Sequence, residues 1–129
     1  MNDMTRVLAA GVVLLWCLAG TARAGEVAAE ILVHSTLTAG LRHHDAKAVW
    51  EALKPGDEVA LVREVGNPHD PNAVRVEWNG HMLGYLPRND NAAVARQLDR
   101  GNPLKGRIAR LGKYRNHRLK LELDVYLRL

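Results

Sequence analysis

The chain has 129 residues, 18 Lys and Arg against 14 Asp and Glu, a formal charge of +4, and one Cys. That length holds one domain with a core of modest size. A single thiol excludes an internal disulfide framework and a Cys-based zinc site.

Arg6 precedes an uncharged apolar run from Val7 to Gly20, and Thr21-Ala22-Arg23-Ala24 then places small residues at the last and third-last positions before Gly25. A basic start, an apolar centre and an Ala-x-Ala exit form the pattern of a secretory signal peptide. The expectation is a signal peptide over 1–24, a single domain over 25–129 and a secreted or periplasmic location. The apolar run is short for a transmembrane span, so no stable membrane insertion is expected after cleavage. Cys17 falls in the segment to be removed.

Glu26 to Thr36, with Ile31-Leu32-Val33 at its centre, reads as a first strand, and Thr38-Ala39-Gly40 breaks it. Ala46, Val49 and Leu53 lie at helical spacing behind a capping Asp45, which predicts a short helix. Lys54-Pro55-Gly56-Asp57 is a turn, because Pro sets its first corner and Gly accepts a positive φ. Glu58 to Glu64 alternates as a strand, and Gly66 to Asn72 is a loop with two prolines. Ala73 to Trp78 and His81 to Leu86 form a hairpin around Asn79-Gly80, a pair suited to positive φ at both corners. Asn89 or Asp90 caps a helix running to about Arg100, which Gly101-Asn102-Pro103 stops. Leu104 to Leu111 is a strand and Gly112 to Asn116 a basic turn. From Leu119 to Leu129 apolar and polar residues alternate strictly, the pattern of a half-buried strand. Six strands with one or two short α-helices predict a mainly β fold. A small six-stranded β-barrel is the economical solution, since closure removes exposed edges. A β-sandwich is the alternative.

Charge is unevenly spread. Gly25 to Asp99 holds 7 basic and 11 acidic residues, whereas Arg100 to Leu129 holds 9 basic and 2 acidic. The basic third suits a polyanion partner, nucleic acid among them. Its densest part, Arg107, Arg110, Lys113, Arg115, Arg118 and Lys120, is the candidate for tracking phosphates. Trp50 and Trp78 read as packing residues, and His34 and His81 as strand residues satisfied by local hydrogen bonds.

In Gly66 to Asn72, Asn67 and Asp70 each precede a proline and are pushed away from helix. Each side chain can bond the backbone just ahead of it. The loop is therefore expected to be rigid and to present His69 and Asp70, either for recognition or simply as a stable turn.

Four segments carry a family resemblance. They are Gly40-Leu41-Arg42-His43-His44, Gly56-Asp57-Glu58-Val59-Ala60-Leu61-Val62-Arg63-Glu64, Asn67-Pro68-His69-Asp70-Pro71-Asn72-Ala73-Val74 and Gly84-Tyr85-Leu86-Pro87-Arg88. In order and spacing they resemble the HIRAN domain, over roughly Val33 to Arg110. The resemblance implies an OB-like barrel and, from the best understood members, binding of single-stranded DNA at a free 3′ end. It assigns Asp70 to accept a hydrogen bond from the terminal hydroxyl, with Asn67 in the same loop. Arg42 and Arg88 would neutralise phosphates and Tyr85 would line the pocket. His43, His44 and His69 stand where tyrosines occur, and imidazole can still stack on a base. Tyr114, in the basic turn, is a looser candidate for stacking.

The leading expectation is thus a non-catalytic module for single-stranded nucleic acid or another polyanion, without a cofactor. Three alternatives stay open. One is a zinc-binding protein using His43, His69 and Asp70, since imidazole and carboxylate suit first-row ions. Another is a phosphodiester hydrolase with a His base, Asp70 as its orienter and Arg88 on the phosphate. The third is an envelope module for a peptide or glycan.

Overall fold

The computed structural model describes residues 29–129. The expected signal peptide lies outside the described residues. Six strands form one antiparallel sheet: β1 Glu30–Leu37, β2 Glu58–Arg63, β3 Val74–Trp78, β4 His81–Tyr85, β5 Leu104–Lys113 and β6 Leu119–Arg128. Two helices interrupt them, α1 Ala46–Val49 and α2 Ala92–Asp99, with 3-10 turns at Leu41–His43, Trp50–Ala52 and Arg88–Asp90. No described helix is long and apolar enough to cross a membrane.

The strand order is β1-β6-β5-β2-β3-β4, which leaves β1 and β4 at the two ends. The chain leaving β1 then reaches β4. Ala39 N–H donates to the Tyr85 carbonyl at 2.7 Å and Tyr85 N–H to the Ala39 carbonyl at 2.9 Å. The mainly β, six-stranded expectation holds, and the barrel holds in a looser sense. The sheet is open, and one two-bond bridge draws its ends together.

Alternation along the strands builds the core. Val59 and Leu61 of β2, Val74 and Val76 of β3, Leu83 of β4, Ile108 of β5 and Leu121, Leu123 and Val125 of β6 are buried together. Leu41, Leu53, Leu86, Val94 and Ala95 join them from the turns and helices. Trp50 and Trp78 pack against the rim of this core, as expected. The Asn79-Gly80 turn has φ of 45° and 79°, as its composition demanded.

Some boundaries move. The second helix begins after Asn91 rather than at Asn89 or Asp90, because Arg88–Asp90 forms a 3-10 turn first. β5 runs on to Lys113, so the tight turn is Tyr114 to Arg118, closed by the Tyr114 N–H to Arg118 carbonyl bond at 2.9 Å. His117 takes the left-handed corner at φ 65°. The apolar triplet Ile31, Leu32 and Val33 is not core but 46–52% exposed on the outer strand β1. His34 Nε2 lies 3.1 Å from Asp90 and His81 Nδ1 3.6 Å from Asp45, so both strand histidines face carboxylates distant in sequence rather than making the local hydrogen bonds expected of them.

Candidate nucleic-acid interface

The bridge between Ala39 and Tyr85 fixes the segment that follows it. Gly40, at φ 74°, turns the chain, and buried Leu41 anchors the 3-10 turn in the core. Arg42 and His43 are then exposed, with Arg42 Nε donating to His43 Nε2 at 3.1 Å. The backbone extends again at His44, which turns back and meets Tyr85 edge-on, ring centres 5.6 Å apart. The adjacent histidines thus serve different neighbourhoods.

Arg42 and His43 line a groove of about 820 Å³ between the α1 region and the β5–β6 turn. Lys47, Trp50 and Glu51 share their side, and Lys113, Tyr114, His117 and Arg118 come from the turn. Four permanent cations thus face one carboxylate, with two aromatic rings and two imidazoles among them. Lys120 sits over the Tyr114 ring at 5.4 Å from its centre. A cation on an aromatic face is attracted by the ring quadrupole, which steadies this exposed tyrosine. Such a surface combines charge for phosphates with flat faces for bases.

The proline loop forms a second cluster. Asn67 Oδ1 accepts the N–H groups of His69 at 2.8 Å and Asp70 at 3.1 Å. Its Nδ2 donates to Glu64 at 3.0 Å. Asp70 Oδ1 accepts the Asn72 N–H at 2.9 Å, and Oδ2 accepts the Asn91 side-chain amide at 2.7 Å. Arg63 clamps the loop from below, donating to the Pro71 carbonyl at 2.8 Å and the Ala73 carbonyl at 3.0 Å, and pairing with Asp99 at 3.0 Å. Every turn of the loop is therefore tied, in keeping with the rigidity read from its composition.

Tyr85 closes this cluster. Its hydroxyl donates to Glu64 at 2.9 Å, and Glu64 also faces Arg75 at 3.8 Å. Burial pushes the phenol pKa up, the Glu64 hydrogen bond and charge push it further, and Arg75 partly offsets them. Tyr85 therefore stays a neutral donor to a carboxylate.

The expected site residues thus fall into two groups. Arg42, His43 and Tyr114 meet in the groove. Asn67, Asp70 and Tyr85 belong to the hydrogen-bonded cluster, and His44, edge-on to Tyr85, links that cluster to the 40–44 turn that carries Arg42 and His43. His69 and Arg88 are exposed. Sequence reasoning missed Lys47 and His117 as groove residues and read Trp50 as packing alone, although it does both. The dense run of cations from Arg107 to Lys120 was the signal that pointed to Lys113 and Arg118. No group of three or more potential metal ligands occurs among the described residues, so His43, His69 and Asp70 do not converge on one ion site.

Fold and groove together define a small domain built on a six-stranded antiparallel sheet, with an open basic groove at one side. The HIRAN domain family model matches residues 31–129, and the chain belongs to that family. It is 36% identical over 73 residues to a Fanconi-associated nuclease 1 homolog of Oryza sativa subsp. japonica, covering 54% of this chain but 7% of that protein. Among solved structures it resembles a protein from Lactobacillus plantarum, with a TM-score of 0.70 and 31% identity, covering 79% of this chain and 98% of that one. The HIRAN domain of human HLTF shares the fold at a TM-score of 0.59 and 24% identity, covering 77% of this chain and 78% of that one.

Proposed function

We propose that this domain binds single-stranded nucleic acid, with the backbone running along the groove and the strand's 3′ end reaching Asp70. One observation carries the reading: Arg42, Lys47, Lys113 and Arg118 line a single open groove together with Trp50 and Tyr114. Cations alone suit any polyanion, but cations interleaved with aromatic faces suit unpaired bases. Membership of a family found in nucleic-acid-binding proteins supports the same partner. At the 3′ end, Asp70 offers a carboxylate whose oxygens each accept one internal bond. About four acceptor sites exist on such a group, so one per oxygen is left for a hydroxyl. Arg88 and His69, both exposed, stand ready for the terminal phosphate and base. Should residues 1–24 direct export, the nucleic acid met would lie outside the cytoplasm.

Fluorescence anisotropy with a labelled single strand tests the proposal. Counterion release gives a slope of about −0.7 per neutralised phosphate in a log–log salt plot, so the four groove cations predict a slope near about −3. Affinity is then expected to fall roughly fiftyfold between 50 and 200 mM salt. A slope near zero, or preference for duplex over single strand, overturns the reading.

A further inference from the structure

We infer that Asn91 is a positioning residue for Asp70, holding its carboxylate in the orientation that receives a terminal hydroxyl. The inference rests on the reading of Asp70 proposed above.

Asn91 occupies the position before the first residue of α2 and is fully buried. An asparagine there ordinarily caps the helix by accepting a backbone N–H from its first turn. This one makes no such bond. Its Nδ2 donates instead to Asp70 Oδ2 at 2.7 Å, across 21 residues of sequence. Its Oδ1 has no partner among the described residues. A buried amide whose oxygen has no partner weakens folding rather than aiding it. Helix stability does not explain this side chain; the bond to Asp70 does.

The bond also has mechanical consequences. Val94 and Ala95, one turn on, are buried in the core, so α2 is a fixed base. The loop's other side-chain bonds to Asp70 are local: the Asn72 N–H holds Oδ1, and Asn67 holds the Asp70 N–H. Among the described residues, Asn91 alone ties the carboxylate itself to the core. With one donor on each oxygen the group cannot rotate about its last bond, and its free lone pairs keep one direction. A hydroxyl donor benefits from that, whereas a phosphate ester end meets a fixed negative charge.

The test compares strands ending in a 3′-hydroxyl and a 3′-phosphate, bound to the full chain. The wild type is expected to prefer the hydroxyl end. Asn91→Ala is expected to cut that preference about tenfold, with affinity for the phosphate end unchanged because the groove is intact. In an Asp70→Ala background the same change is expected to do nothing further, since its route is lost. Equal loss in both backgrounds, or a folded Asn91→Ala that keeps the preference, overturns the inference while leaving Asp70's role standing. A wild type without preference overturns the reading of Asp70 itself. Should Asn91→Ala fail to fold, NMR of the wild type decides. A correlation between the Asn91 side-chain amide protons and the Asp70 carboxyl carbon, shifted when the hydroxyl strand binds, is expected. Its absence counts against the inference.

Discussion

Replacing Lys113 and Arg118 together by alanine is expected to weaken single-strand binding by tenfold to a hundredfold, roughly, and to flatten the salt slope by about 1.4. Both side chains are exposed and line the groove, and neither forms an ion pair among the described residues. Removing them takes away half of the groove's permanent cations without breaking a structural contact. Thermal stability is therefore expected to stay within about 0.5 kcal/mol of the wild type, as at other exposed sites. Arg100→Ala serves as the comparison, because Arg100 is equally exposed and lies outside the groove. If both variants lose the same small amount of affinity, binding follows net charge and the groove is not the interface. Trp50→Ala is a poorer probe. That ring also packs against the core, so its loss mixes stacking with stability.

The local parts of this fold were legible in the sequence because their causes are local. Asn79-Gly80 dictates its own turn through positive φ, and strict alternation from Leu119 marks the strand that carries Leu121, Leu123 and Val125 inward. The Asn67 and Asp70 turn bonds follow from side chains placed before prolines. Where causes lie far apart in sequence, the reading fell short. Arg42 and Arg118 meet across one groove only because β1, β6 and β5 are neighbours in the sheet. Nothing near Arg63 announces that its guanidinium will hold the Pro71 and Ala73 carbonyls. Asn91 went unnoticed in another way: Asn89 and Asp90 were the expected caps, and burial beside Asp70 turns the Asn91 amide away from the helix. Ile31-Leu32-Val33 marked its strand correctly, but hydrophobicity does not say that the strand lies at the sheet's end with these side chains half exposed.

Gly84→Ala is expected to destabilise the domain by about 3 kcal/mol, combining the cost of forcing a methyl into a packed site with two backbone hydrogen bonds lost. For a domain of this size that lowers the melting temperature by roughly 12 to 24 °C. A Cβ at Gly84 would stand 2.3 Å from the Ala39 carbonyl oxygen and 3.1 Å from Thr38 Cγ2. Backbone cannot swing aside as a flexible side chain can, so the Ala39–Tyr85 bridge must open. Gly112→Ala is the control. Gly112 has nothing within 4 Å of the added carbon and no positive φ, and its replacement is expected to be near neutral. The two glycines therefore separate close approach from general strand propensity. The same opening reaches the ligand site, because Gly40 to His44 hangs from that bridge and carries Arg42 and His43 into the groove. Gly84→Ala measured well below its melting point is thus expected to bind oligonucleotide more weakly, although the glycine itself does not line the groove. A variant that melts early yet binds at full strength would show that the 40–44 turn keeps its place without the bridge, held by Leu41 in the core alone.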